Sequence, residues 1–188
     1  MKALFFLTLL VMAGFVTTAQ ERLISRNGSI SFYSKAPLEN IEAKTETAVS
    51  ALDKKTGQIE FSVLIKSFGF EKALMQEHFN ENYLESDKFP KSIFKGKIDE
   101  INKIEFDKDG KYMVAVTGQL SIHGETKSIT APATIIIQNG TPTANAEFNI
   151  SLSDYKVSIP SLAKDKISNS VKIVVSLRYE NQAATNSK

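Results

Sequence analysis

Glu77, Glu81, Glu85 and Asp87 recur at roughly helical spacing, an arrangement that would suit paired acid and base chemistry if the carboxylates entered a pocket. Nothing in the surrounding residues demands a pocket there, and a solvated helix face accounts for them better. The two histidines, His78 and His123, lie far apart and lack acidic or cysteine partners at metal-ligand spacing. His123 reads as a turn residue, and His78 as a partly exposed helix residue placed to touch a ligand headgroup. Ser121 has no nucleophile elbow around it, and no glycine-rich phosphate loop occurs. The chain therefore shows no inventory for nucleophilic or metal catalysis, and the expectation is a protein that is not an enzyme and carries no metal or cofactor.

The chemistry left is that of apolar surface. Ile59, Phe61, Val63 and Ile65 alternate with polar residues in a strand from Ile59 to Ser67, with Leu64 alone breaking the pattern. Phe68-Gly69-Phe70 ends that strand. From Glu71 to Ser86, Leu74, Met75, Phe79 and Tyr83 fall on one side of a short helical segment. Phe89-Pro90 stops the helix, and Ser92 to Gly96 starts another strand, since Pro90 disfavours helix at the preceding residue. Phe61, Val63, Ile65, Phe68, Phe70, Leu74, Met75, Phe79, Tyr83 and Phe94 are thus candidates to line an interior tunnel, or simply to fill a core. Val114, Val116, Phe148 and Ile150, on inward faces of later strands, complete the candidate ligand-binding set.

With 188 residues, 42% of them hydrophobic, the chain suits one domain with a substantial core. Lys2, the apolar run Ala3 to Val16 and the exit Thr17-Thr18-Ala19-Gln20 read as a cleaved secretory signal over 1–19. The run is shorter than the roughly 20 residues of a membrane span, so no stable membrane anchor is expected. The absence of cysteine excludes lipoprotein anchoring at this site and any disulfide, so the core must carry the stability of an exported, periplasmic domain. A formal charge of +2 points to neither nucleic acid nor an anionic membrane.

Along 20–180, turn signals separate short alternating stretches, as in an antiparallel sandwich or barrel. Asn27-Gly28 precedes a strand Ser29 to Tyr33. Ile41 to Ala51 is extended and closes in the turn Asp53 to Gly57. Phe94 to Phe106 holds a strand, and Asp107 to Gly110 is a hairpin turn. Lys111 to Ile122 places Tyr112, Val114, Val116, Leu120 and Ile122 on one face with Gly118 in register. His123-Gly124 turns the chain into Lys127 to Gln138, with Ala133, Ile135 and Ile137 alternating. Asn139-Gly140 is the best hairpin signal of the chain. Glu147 to Tyr155 faces Phe148, Ile150 and Leu152 inward, and Val171 to Tyr179 closes the domain, leaving 181–188 as a polar, flexible tail. About eight strands with one helical insert near 71–86 predict an all-β, eight-stranded antiparallel barrel, whose interior either fills with side chains or holds one small ligand. Gly118 and Ala133 on inward faces fit a hollow interior or close backbone packing equally well.

The stretch Leu74 to Pro90 followed by Phe94-Lys95-Gly96 resembles the first signature of the YceI-like lipid- and polyisoprenoid-binding family, a helical segment leading through a proline into a strand. Gly118-Gln119-Leu120-Ser121-Ile122-His123-Gly124-Glu125-Thr126-Lys127 is similar to its second signature, a hairpin. Phe61 to Phe70 and Asp154-Tyr155-Lys156-Val157 match flanking strands, so the resemblance covers roughly Ser29 to Leu177. Glu71-Lys72 stands where the family often has an arginine-aspartate pair. The resemblance implies an elongated, lipocalin-like barrel whose apolar tunnel takes the tail of an isoprenoid or other lipid in an exported bacterial protein.

The expected function is therefore sequestration or carriage of an amphiphilic isoprenoid with its tail in the barrel. The alternative is a packed barrel that serves the envelope or a stress response through its surface, without bound lipid. Catalysis would need titratable residues on inward faces, which contain almost none. Barrel edges can pair between copies, which leaves a homodimer open.

Overall fold

The computed structural model of the protein describes residues 22–181. The segment 1–19 read as a secretory signal, and all of the expected tail but Asn181, lie outside these residues. Within them the chain folds into ten strands: β1 (Arg22–Lys35), β2 (Asn40–Asp53), β3 (Gln58–Leu64), β4 (Gly69–Phe70), β5 (Lys91–Ile98), β6 (Gly110–Ile122), β7 (Glu125–Gln138), β8 (Thr141–Ser151), β9 (Ser170–Arg178) and β10 (Glu180–Asn181). Eight of them form a closed antiparallel barrel in the order β1-β9-β8-β7-β6-β5-β3-β2, with β2 pairing back onto β1. Closure removes the free edges that would otherwise invite pairing with other chains.

The two-residue strands fill gaps in the ladder. β3 pairs with β2 only from Val49 to Leu52, and β4 takes up Ala43 and Lys44. On the far side of β1, β9 covers Ser29 to Ser34 while β10 pairs with Leu23 and Ile24. Backbone donors and acceptors at both places find partners that a single straight strand would miss. Asn181, expected to begin the tail, thus belongs to the sheet together with Glu180.

The segment Asn27-Gly28 is not a turn. β1 runs through it from Arg22, and the register with β2 shifts on either side of Gly28, the mark of a bulge. A Cβ at Gly28 would lie 2.4 Å from Leu177 Cδ2 and 3.1 Å from the Ala48 carbonyl oxygen, so close approach of backbone rather than chain reversal requires this glycine. The two-residue reversals are where the pairs His123-Gly124 and Asn139-Gly140 put them, with φ of 51° and 78°, and of 50° and 70°. Two successive positive φ angles define the type I′ turn that matches strand twist.

Several boundaries move. β3 ends at Leu64, which is half exposed on the outward face, and Ile65–Ser67 makes a 3₁₀ turn after which Phe68 is buried. β5 ends at Ile98, and the rest of the stretch to Phe106 is a loop with a 3₁₀ turn at Ile101–Lys103. β8 starts earlier, at Thr141, and gives way after Ser151 to a 3₁₀ turn over Leu152–Tyr155. The helical insert is shorter than 71–86: helix α1 spans Ala73–His78, and Phe79–Tyr83 continues as a wider π turn closed by the Leu84 N–H donating to the Phe79 carbonyl at 2.9 Å. Glu85, at φ 42°, ends it.

The barrel interior divides along its axis. At the end holding the β2–β3, β5–β6 and β7–β8 connections, Leu23, Leu52, Ile98, Ile104, Ile135, Ile137 and Tyr179 pack with no more than 6% exposure each. Burial of each aliphatic chain there contributes about 1.5–3 kcal/mol. At the opposite end Phe32, Phe68, Phe70 and Phe79 gather beneath the insert, with ring centroids 5.0–5.9 Å apart. Edge-on and offset contacts of this kind hold a rigid wall without filling the lumen.

Candidate functional site

Between the packed end and the aromatic end lies a cavity of about 670 Å³. That volume falls in the range of small-molecule sites. Phe61 and Val63 reach it from β3, and Phe94 from β5. Val116 comes from β6, and Phe148 and Ile150 from β8. Ile65, Phe68 and Phe70 line it from the turn after β3 and from β4, and Leu74, Met75, Phe79 and Tyr83 from the insert. The period of two on the strands and the helical spacing of the insert converge on one lumen because the insert folds back over the end of the barrel from which it departs. Val114 is the exception. It sits one inward position nearer the closed end than Val116 and packs against the lower core, away from the cavity.

Other strands contribute as much. Val171, Ile173, Val175 and Leu177 of β9, Ile30 and Phe32 of β1, and Ala144 and Ala146 of β8 also line the cavity. Their alternation is plain in the sequence, but alternation shows only that a side chain points inward, not whether it meets a neighbour or a void. Leu162, Ala163, Lys166 and Ile167 line the cavity from the loop before β9, where no periodicity announces them. The two readings of the small inward residues divide. A Cβ at Gly118 would fall 2.4 Å from the Lys95 carbonyl oxygen and 2.7 Å from Phe94 Cζ, so Gly118 serves close packing, whereas Ala133 lines the cavity.

The mouth lies where α1, the β1–β2 turn and the loop before β9 meet. Lys72 Nζ is 3.0 Å from Glu39 Oε1, tying α1 to the β1–β2 turn, and the Leu38 N–H donates to the Asp165 carbonyl at 2.8 Å, tying that turn to the loop. The hydrogen bond to Glu39 and the charge of that carboxylate push the Lys72 ammonium up from its ordinary pKa. His78 is exposed at this rim, with Leu74 at 61% and Leu162 at 95% exposure beside it. Charge is thus confined to the entrance, while the walls are mainly hydrocarbon, with Ser34, Tyr83, Ser92, Asn145 and Tyr155 among them. Ser34 and Ser92, both buried, are committed to protein: Ser34 Oγ accepts from the Ser168 N–H at 2.9 Å and Ser92 donates to the Ser121 carbonyl at 2.9 Å. Such an interior can hold an apolar chain by exclusion of water.

A polar clasp closes the insert against the barrel outside the cavity. His123 Nδ1 is 3.1 Å from the Tyr155 carbonyl oxygen and Nε2 is 2.7 Å from Glu85 Oε2, while the Phe89 ring stands edge-on to the imidazole at a centroid distance of 4.8 Å. Glu85 therefore leaves the series of solvated carboxylates expected of Glu77, Glu81, Glu85 and Asp87. Among the described residues no three His, Cys, Asp or Glu side chains gather as a metal site.

Residues 22–179 match the model of the YceI-like domain. The chain belongs to the YceI-like family. Among solved structures, this YceI-like chain is similar to a polyisoprenoid-binding domain from Saccharophagus degradans implicated in plant cell wall breakdown, at 13% identity and a TM-score of 0.75 over 86% of this chain and 99% of that one. It is similar to Burkholderia cenocepacia BcnA at 18% identity and a TM-score of 0.68, over 80% of this chain and 95% of that one. A Campylobacter jejuni YceI protein matches at 20% identity and a TM-score of 0.56, over 72% and 81% of the two chains. At such identities these likenesses concern the fold. No protein with a curated description matches the sequence.

Proposed function

We propose that this YceI-like protein binds an amphiphilic lipid, an isoprenoid or a similar chain, by burying its tail in the barrel cavity and leaving its polar end at the mouth. The observation that carries the reading is a cavity of about 670 Å³ walled by aliphatic and aromatic side chains, with charge only at its rim. Membership of a family whose solved relatives include a polyisoprenoid-binding domain supports the choice of ligand class. Burial of each methylene contributes about 0.8 kcal/mol, so roughly 15 carbons amount to about 12 kcal/mol before the costs of association. Tail length alone supplies the affinity, and the chemistry needed is carriage or sequestration rather than catalysis. The segment 1–19, whose sequence reads as a cleaved secretory signal, supports the periplasm as the site of action.

Native mass spectrometry of the exported protein, followed by organic extraction, tests this. A stoichiometric isoprenoid or fatty lipid is the expected result. A clean apo mass with no uptake of added isoprenoid would overturn it and shift the function to the barrel surface.

A further inference from the structure

Resting on that lipid-binding reading, we infer that the barrel measures the tail: its floor, set by Ile135, fixes the length of chain that can be buried. Along the inward face of β7 the side chains step from Ala133, which lines the cavity, to Ile135, which is 1% exposed and belongs to the packed lower core. Ala144, also on the cavity, is the β8 partner of Ile135, so the void ends where the Ile135 side chain begins. On the next two strands, β6 and β5, Gly118 and Gly96 face one another in register. The Phe94 ring lies over both, with Cζ 2.5 Å from where a Cβ of Gly96 would be and 2.7 Å from that of Gly118. The ring takes the space of two absent side chains and narrows the lumen nearer the mouth, beside Ile129, the β7 partner of Gly118, while the void continues past it to Val116 and Ala133. A tail entering between the Leu74 and Leu162 rim stops against this floor, and any carbons beyond the limit stay at the mouth.

Saturated straight-chain alcohols of increasing length are the probe, titrated against the full-length mature protein and two variants. For the wild type, affinity rises by about fourfold per added carbon, the equivalent of burying one methylene, and then breaks to a much smaller gain at a defined length. Ile135→Ala moves the break to longer chains by about three carbons, the number the substitution removes, to the extent that the site does not collapse. Ala133→Leu adds atoms to the floor without removing core, so it keeps the test informative should Ile135→Ala unfold, and it moves the break to shorter chains. A constant gain per carbon with no break, or a break that neither variant moves, overturns the measuring floor while leaving lipid binding intact. Absence of binding at every length overturns the lipid-binding reading and this inference together.

Discussion

His123 and Glu85 join two segments far apart in sequence, the β6–β7 turn and the end of the insert, through a contact of 2.7 Å between Nε2 and Oε2. Because the other ring nitrogen faces the Tyr155 carbonyl and both partners accept, the arrangement is complete when both nitrogens carry hydrogen. The insert itself has no buried residue between Ala73 and Tyr83, so its hold on the barrel depends on its ends and on the Phe79 ring. His123→Ala is expected to raise amide hydrogen exchange in residues 79–89 while the strands away from the turn keep their protection. Uniform loss of protection across the barrel would show that His123 supports the whole fold rather than the insert.

Glu85 holds that contact from an unfavourable backbone, at φ 42°. Glycine adopts this conformation without the steric cost that any side chain brings, which is about 1–2 kcal/mol. Glu85→Gly and Glu85→Ala both lose the carboxylate, and only the first relieves the strain. Urea unfolding should therefore find Glu85→Gly the more stable of the two by about 1 kcal/mol. Equal stabilities would mean that the segment relaxes out of the left-handed region once the His123 contact is gone.

The closed end contains a titratable group with a defined pH signature. The Ser50 hydroxyl donates to the Glu60 carbonyl at 3.0 Å, so the Tyr179 hydroxyl is the donor in its 2.8 Å contact with Ser50. Burial pushes the Tyr179 phenol up to about 12. The folded state thus holds this proton more tightly than the unfolded chain, where the phenol titrates near 10. Stability from this group is full below about pH 10 and is lost as pH rises through about 12, by about 2–3 kcal/mol in all. Denaturant melts across this window should show the fall, and Tyr179→Phe should remove that part of it. A phenolate absorbance that titrates entirely near 10 in the folded protein would contradict the assignment.

Much of this architecture is legible in the sequence, for reasons that particular residues make clear. Asn139-Gly140 and His123-Gly124 state their turns because successive positive φ angles need such residues, and strict alternation in β6, β7 and β9 states the faces. Asn27-Gly28 misleads because the same permissive backbone that makes a turn also makes a bulge, and only the pairing of Leu23 to Ser25 with β2 distinguishes them. The cavity walls were legible as inward positions, yet Val114 and Val116 have the same type and the same face and differ only in depth along the axis. Depth is a tertiary quantity. The loop residues Leu162 and Ile167 carry no period at all, and their place at the mouth comes from the hydrogen bond between Leu38 and Asp165.

Two buried tyrosines provide a matched pair. Tyr179 donates to Ser50, whereas the Tyr155 hydroxyl has no hydrogen-bond partner among the described residues, and burial together with the Asp154 charge pushes its phenol up. Removing a paired hydroxyl costs about 1 kcal/mol, while removing one that is buried and unpaired is neutral or favourable. Tyr179→Phe should therefore lower unfolding stability by about 1 kcal/mol and Tyr155→Phe should leave it unchanged or raise it. The reverse order in chemical denaturation would show that Tyr155 finds a partner in solution.

Glycines at the bulge and at a hairpin separate steric from conformational demands. At Gly140 a Cβ meets nothing within 4 Å and only the φ of 70° is at issue, so Gly140→Ala should cost about 1 kcal/mol. At Gly28 the added carbon would overlap Leu177 Cδ2 at 2.4 Å and press on the Ala48 carbonyl oxygen at 3.1 Å. Leu177 can turn aside only by intruding on the cavity that it lines, and the carbonyl is fixed in the β1–β2 ladder. Gly28→Ala is expected to cost about 1–3 kcal/mol by overpacking and, unlike Gly140→Ala, to weaken lipid uptake. Thermal unfolding and uptake of a fluorescent fatty acid, measured on both variants, check this: equal losses of stability with unchanged uptake would show that the bulge absorbs the extra carbon.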